Sequence, residues 1–549
     1  MKKEIKLVFE DGLVLEVERG ITVAKVLEKL TDCNQIIALR VNGRAVSSNY
    51  EIMENSSIKY IRVTDRIGRK IYTKGLQFMY IYAVNKLYWD KAIVNIKHSL
   101  DKAIYTELNI KNVTITSEVV NRIKQKMLEI VNDDISINKI SSTREDTIEY
   151  FERLKENEKV LNYRFMTADY VSLYELNDTY NYFYYLMPAS TGILDRFDLT
   201  FVGNGGVILS YPINNEIPKY VPTPKVFESF KEYESKFKSL GVTYAGELNK
   251  IVTEGKIRDL IQMNELIYDE SLDEIAKKIM SSKTIKAIFI SGPSSSGKTT
   301  SSKKLSMFLK AKGIDSLVLS TDDYYVNRVD SPIDENGEYD YEVVDAIDYK
   351  LFSTQISKLL KGEEIVPPTF NFITGEQEFK RKPIMLHKNQ IIIVEGLHAI
   401  NEKLNGSIDK KNKLKIYISP FTPISLDRHN HISTTDIRFL RRTVRDYNTR
   451  GYSADDTLSR WFKMRNSEEK NVYPYQREAD IIINTSFVYE IGVLRTYAEP
   501  LLFSIKNDSP YYEEAIRILN FMKGFINIPS DDIPATSVIR EFIGKSYFE

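Results

Sequence analysis

Apolar positions follow two different periods along this chain, and the period changes in blocks. Near the start, Glu4–Phe9 and Val14–Glu18 alternate apolar and polar residues around Asp11-Gly12. Such alternation marks a hairpin with one buried face. Thr22 then caps an amphipathic helical run, and Ile36–Val41 and Ile58–Val63 read as further strands. Residues 1–62 thus predict a compact β-rich unit, and residues 63–220 predict a second, α+β unit. Residues 221–283 are helix-rich and charged, with Phe227, Phe230, Tyr233 and Phe237 on one helical face, a packing stripe that implies no cofactor. From 284 to 489 the pattern changes to short continuous apolar runs, at Ser316–Ser320, Ile391–Val394, Leu414–Ile418 and Ile481–Ile483. Separated by helical stretches, these predict a parallel sheet with helices on both faces. Residues 490–549 read as a helical extension with breaks at Pro500 and Pro529.

Size and composition narrow the picture. A chain of 549 residues is too long for one ordinary core, and length alone suggests about three or four domains. Lys plus Arg equals Asp plus Glu, 76 each, so no global field draws the chain to nucleic acid or an anionic membrane. Cys33 is the only cysteine, which excludes an intrachain disulfide and a cysteine-based zinc cluster. The first residues alternate in charge without the apolar stretch of a secretory signal. No apolar run approaches the ~20 residues that span a bilayer. A cytoplasmic location, with no membrane partner, is the expectation.

The apolar run Ile285–Ile290 feeds directly into Gly292-Pro293-Ser294-Ser295-Ser296-Gly297-Lys298-Thr299-Thr300, and a helical segment follows. Strand, G-x-x-x-x-G-K-T and helix in that order form a phosphate-binding P-loop. Gly292 and Gly297 permit a tight path on which backbone N–H groups turn toward phosphate oxygens. Lys298 supplies a mobile cation, and the Thr299 hydroxyl suits Mg²⁺. ATP and Mg²⁺ are therefore the expected cofactors.

Polar residues cluster where the later strands end, the edge at which α/β sheets do chemistry. Ser320 is followed by Thr321, Asp322, Asp323, Tyr324 and Tyr325. One of the paired carboxylates can activate an acceptor hydroxyl while the other assists a metal or water. Four aliphatics, Ile391 to Val394, precede Glu395, which would be costly to bury unpaired and so reads as a metal or base position. Downstream, Arg438, Arg441, Arg442 and Arg445 fall on one helical face that ends at Arg450-Gly451. That face suits a lid closing on a triphosphate; a solvated basic face or an RNA-binding patch is the bland alternative.

In this order the motifs resemble the uridine kinase and phosphoribulokinase family. The resemblance rests on the P-loop, Asp322 to Tyr325, Asp345-Ala346-Ile347-Asp348, Val394-Glu395-Gly396, the arginine-rich helix and Ala479-Asp480 before Ile481. It implies a kinase acting on a hydroxyl of a small metabolite, a nucleoside in the first place. Asp322 would be the base, with Thr299, Asp322 and Glu395 arranging Mg²⁺. Arg445 and Arg450 would contact the triphosphate, and Asp323, Tyr325, Phe370 and Asp340 or Glu342 would lie near the acceptor. Two departures concern the acceptor: Phe370-Asn371-Phe372 and Gly375 stand where uridine kinases carry Tyr-Asp-Phe and a histidine, and Tyr452 stands for a lid arginine. A phosphosugar or another small alcohol is the alternative acceptor within the family.

Residues 1–62, with the Val41-Asn42-Gly43 turn, resemble the β-grasp TGS domain found in threonyl-tRNA synthetases and certain GTP-binding proteins. Gly68–Tyr88 and Phe183–Leu199 resemble blocks of the second additional domain of those synthetases. The editing chemistry does not carry over: Phe78 and Tyr82 occupy the places of its first histidine pair, and His98 is the segment's only histidine. The resemblance leaves RNA binding by the N-terminal half, with the P-loop domain as a nucleotide switch, as a competing reading; a homo-oligomer is compatible with either.

Overall fold

A computed structural model describes residues 4–30, 35–100, 102–282, 284–335 and 337–548; Cys33 lies outside them. At the N-terminus Ile5, Leu7 and Phe9 alternate into a core, as the pattern predicts. Their strand, Glu4–Phe9, stands second in a five-stranded sheet ordered Val14–Glu18, Glu4–Phe9, Ser56–Arg62, Ile36–Val41, Arg44–Val46. The Glu4–Phe9 and Ser56–Arg62 pair is parallel and the rest are antiparallel. Helix Val23–Glu28, capped by the Thr22 hydroxyl, buries Val23 and Val26 against this sheet.

The second unit centres on helix Arg66–Tyr88, which lies with helix Ser117–Asn132 against a four-stranded sheet. The sheet order is Asp198–Phe201, Gly206–Ser210, Ala103–Ile110, Ala92–Leu100. Phe78 and Tyr82 are buried on the long helix, and the Asn177 amide donates to the Tyr82 hydroxyl at 3.0 Å. His98 is buried with its ring stacked on Phe230 at 3.6 Å, and burial pushes its pKa down. It is a neutral packing residue. Phe227 and Phe230, on helix Pro224–Lys238, touch Tyr105 of this unit at 4.9 Å and Phe421 of the following domain at 4.3 Å. The aromatic stripe therefore joins the two halves of the chain.

The third sheet is fully parallel, in the order Ser316–Ser320, Ile391–Glu395, Ala287–Ser291, Lys413–Ser419, Ile481–Asn484. Continuous apolar runs form these strands because both faces are covered. Along the central strand, Ile288 and Ile290 enter one core while Ala287 and Phe289 enter the other.

The C-terminal extension contains helices Glu490–Phe503, Tyr512–Met522 and Arg540–Ile543. Pro500 does not break the first of them, contrary to the sequence expectation. Its ring removes one i→i−4 bond in the last turn, yet the helix runs on to Phe503. Glu513 on the second helix accepts from Arg40 and from the Ala45 amide, and Glu514 accepts from Lys70 at 2.8 Å. Arg517, one turn on, pairs with Asp436 of the arginine-rich helix Thr434–Arg450 at 3.0 Å. The extension thus ties the N-terminal units to the parallel-sheet domain. Among the described residues, no helix is long and apolar enough to cross a membrane.

Candidate active site

The loop from Gly292 to Gly297 leaves the central strand and opens helix Lys298–Ala311. A Cβ at Gly292 would come within 2.1 Å of the Ile418 carbonyl oxygen, so only glycine fits. Gly297 has φ +86 and faces a Val538 methyl that a Cβ would approach to 2.4 Å. Three carbonyls of the loop are held from behind. Arg438 Nε donates to Ser294 O at 2.8 Å, Arg441 Nη1 to Ser295 O at 3.4 Å, and the Thr485 hydroxyl to Ser296 O at 2.6 Å. In a trans peptide, C=O and the following N–H point in opposite directions. Fixing those oxygens backwards therefore turns the amides of Ser295 and Gly297 toward the cleft, as an anion cradle requires.

Those arginines are not a solvated basic face. Arg438 and Arg441 are completely buried, paired with the equally buried Glu468 and Glu490. The basic-surface alternative fails for a structural reason: the face that carries them packs inward against the P-loop. Arg442 Nη1 reaches the Ser294 hydroxyl at 2.9 Å, and Arg445 Nη2 reaches the Ser295 hydroxyl at 3.4 Å. Arg450 is held by Asp446 at 2.9 Å.

Carboxylates converge at the C-terminal edge of the sheet. Glu395 ends its strand, and the Thr299 hydroxyl lies 3.5 Å from its Oε1. Asp322 follows the neighbouring strand, its backbone N–H accepted by the Ser320 hydroxyl at 3.3 Å. Solvent still reaches Asp322 at the cleft mouth. Its carboxyl nevertheless has a raised pKa, because surrounding protein strips most of its hydration; Asp323 adds to this, and Lys298, Arg445 and Arg450 oppose it. Burial and the Asp322 charge push Glu395 up to about 7. Burial and the Glu468 charge push Glu342 up to about 7 as well. Tyr325 is the common neighbour, feeling the charges of Asp322, Glu342, Asp340 and Glu395 together. Lys298 folds back, Nζ donating to Pro293 O at 3.2 Å.

The side of the cleft facing Tyr325 is built from loops. Asp340 Oδ1 accepts from the Glu342 amide at 3.0 Å and from the Ser467 hydroxyl at 3.3 Å. Phe370 lies 5.5 Å from Tyr325 between ring centroids, and Phe372, 63% exposed, lies 5.1 Å beyond it. Asp323 points elsewhere: Arg381 grips both its oxygens at 2.8 and 2.9 Å. Sequence reasoning missed Arg381, Glu468, Glu490, Thr485, Glu541 and His398. His398 Nε2 donates to Glu342 O at 2.7 Å, and a carbonyl can only accept, so the ring is Nε2-protonated. None of these carries a local motif.

The Phosphoribulokinase / Uridine kinase family model matches residues 287–491. The uridine kinase of Borrelia duttonii (strain Ly) is 32% identical over 208 residues, covering 36% of this chain and 86% of that protein. The chain belongs to the phosphoribulokinase and uridine kinase family. The uridine kinase of Leuconostoc citreum (strain KM20) is 28% identical over 198 residues, covering 36% of this chain and 85% of the relative. Among solved structures, a possible uridine kinase from Bacillus stearothermophilus aligns at 20% identity with a TM-score of 0.28, covering 39% of this chain and 98% of that one. The parallel-sheet domain is thus the kinase domain of the family, and the loops around Asp322, Glu342 and Phe370 lie inside the matched region.

Proposed function

We propose that this protein is an ATP- and Mg²⁺-dependent kinase that phosphorylates a hydroxyl of a small metabolite, a nucleoside in the first place. The observation that carries this reading is the convergence of Lys298, Thr299, Asp322 and Glu395 in front of a P-loop whose carbonyls are tied backwards. The residues fit the cofactors. Thr299, Asp322 and Glu395 offer one hydroxyl and two carboxyls whose pKa values are raised first by burial and, at Glu395, next by the Asp322 charge, a cost that a divalent cation relieves. Mg²⁺ held there supplies charge neutralisation for phosphate oxygens. Gly292 to Thr300 would hold the triphosphate, with Lys298, Arg445 and, after rearrangement, Arg450 balancing its charge.

Asp322 is the base in this reading: at the cleft mouth it takes the proton of the acceptor hydroxyl as that oxygen attacks the γ-phosphate. Tyr325, Phe370, Asp340 and Glu342 would shape the acceptor pocket, and Asp323, locked by Arg381, would hold that loop in position. Exposed Phe372 beside Phe370 offers a stacking surface that favours a planar base over a bare phosphosugar. The mixed N-terminal sheet and the α+β unit behind it support the TGS-like and synthetase-like readings of residues 1–62 and 63–220, with RNA as the partner they would meet.

A panel of nucleosides and sugar phosphates, assayed for ADP release and product mass with wild type and Lys298→Ala, tests this. Transfer to a nucleoside by wild type and its loss in Lys298→Ala is the expected result. Near-normal transfer by Lys298→Ala contradicts the P-loop role. Hydrolysis stimulated by RNA without any phosphorylated product favours the switch.

A further inference from the structure

The end of the chain lies on the P-loop. The Thr300 hydroxyl donates to Glu541 Oε2 at 2.7 Å, and the Thr300 amide donates to the same oxygen at 3.4 Å. Arg445 Nη1 donates to the other oxygen, Oε1, at 3.2 Å. A carboxylate therefore takes the first-turn amide and hydroxyl of the P-loop helix together with the lid arginine. These are the groups that a P-loop offers to a phosphate. The next residue completes the match. The Phe542 ring is buried, with the guanidinium carbons of Arg441 and Arg445 5.0 and 5.8 Å from its centroid. A flat ring against guanidinium groups and an anion one residue away present the two chemistries of a nucleotide, base and phosphate.

The contact is continuous. Val538 packs on Gly297, Asn448 Nδ2 donates to Phe542 O at 3.3 Å, and Lys303 Nζ donates to Phe548 O at 2.8 Å. Ser295, at the centre of the cradle, is only 2% exposed.

We infer that the segment 537–548 is a built-in competitor of the nucleotide: with Glu541 and Phe542 docked, Thr300, Arg445 and the face beside Gly297 are occupied, and ATP enters only as this segment lifts. The inference rests on the ATP-binding reading above. Docking lowers the apparent affinity by the fraction of molecules in which the site is covered. Whatever draws the segment away raises activity without touching the catalytic groups.

The test uses the full chain. The affinity for MgATP is measured in wild type and Glu541→Ala, with hydrogen exchange of the amides in 537–548 followed as MgATP is added. A hydrogen-bonded charge is lost in the variant, so its dissociation constant should fall about tenfold. In wild type, MgATP should speed exchange across 537–548. Lys303→Ala, which loosens only the end of the segment, should shift affinity the same way by a smaller factor and serves if Glu541→Ala does not fold. Affinity that is unchanged or weaker in a folded variant overturns the inference, as do tail amides equally protected at saturating MgATP; both leave ATP binding standing. If neither wild type nor variant binds MgATP, the ATP-binding reading falls and takes the inference with it.

Discussion

The two ends of the cleft handle charge in opposite ways. At the P-loop, Arg438 and Arg441 are fully buried, yet each meets a buried carboxylate and a backbone oxygen, so both charges are matched. At the opposite rim, burial raises the pKa of Asp322, Glu342 and Glu395, and the Asp322 charge adds to the rise at Glu342 and Glu395. A cradle must keep one shape for any nucleotide, and buried matched pairs fix shape. A rim that, as proposed, accepts a proton and a cation gains from carboxyls left unmatched. Rigidity sits at one end and reactivity at the other.

The comparison breaks most visibly at Arg441. Arg441→Ala leaves Glu490 buried and short of its main partner and frees the Thr485 and Ser295 carbonyls. Removing one member of a buried pair costs about 3–5 kcal/mol. Denaturant unfolding should show that loss, with ATP affinity falling as well. A cost under about 1 kcal/mol would mean that the buried pair does not fix the cradle.

Asp322→Asn acts at the other end. With the proposed base replaced by an amide, turnover should drop roughly a hundredfold or more, while stability and ATP affinity stay near wild type. Unchanged turnover in steady-state assays would move the base role to another rim carboxylate.

How much of this contrast was legible before any coordinates depended on how local each feature is. The five parallel strands announced themselves as apolar runs, and the P-loop as two glycines with Lys298, because backbone path and sequence spacing are the same constraint there. The arginine face was visible at helical spacing, but whether it faced water or the core was not. Its partners Glu468 and Glu490 lie on later helices and carry no motif of their own. Asp323 looked equivalent to Asp322 until Arg381, far along the chain, turned out to hold it. Glu541 was out of reach altogether, since only the folded extension brings it to Thr300.

Acidity sharpens the rim's side of the comparison. Glu342 keeps its proton up to about 7 in the fold, whereas the ordinary value is 4.5. Between those values Glu342 binds more proton in the folded chain than in the unfolded one, so its contribution to stability is full below about 4.5 and is lost as pH rises toward 7. Across this window the stability of the ligand-free wild type relative to Glu342→Gln should decline by roughly 1–3 kcal/mol, read from unfolding midpoints. A slope unaltered by the substitution would remove Glu342 from the set of strained carboxyls.

The smallest effect is expected at Arg381, and it is the control for Arg441. Both guanidiniums grip a carboxylate with two nitrogens, but the Arg381 side chain is 41% exposed while that of Arg441 is fully buried. Water can replace either partner at the rim, so Arg381→Ala should cost no more than about 1 kcal/mol and lose part of that cost in high salt. The loop carrying Asp323 and Tyr325 would gain freedom, which should raise the acceptor KM a few-fold and leave the KM for ATP unchanged. If the loss instead matched that of Arg441→Ala, the rim would be as locked as the cradle, and the division between a rigid end and a reactive end would not hold.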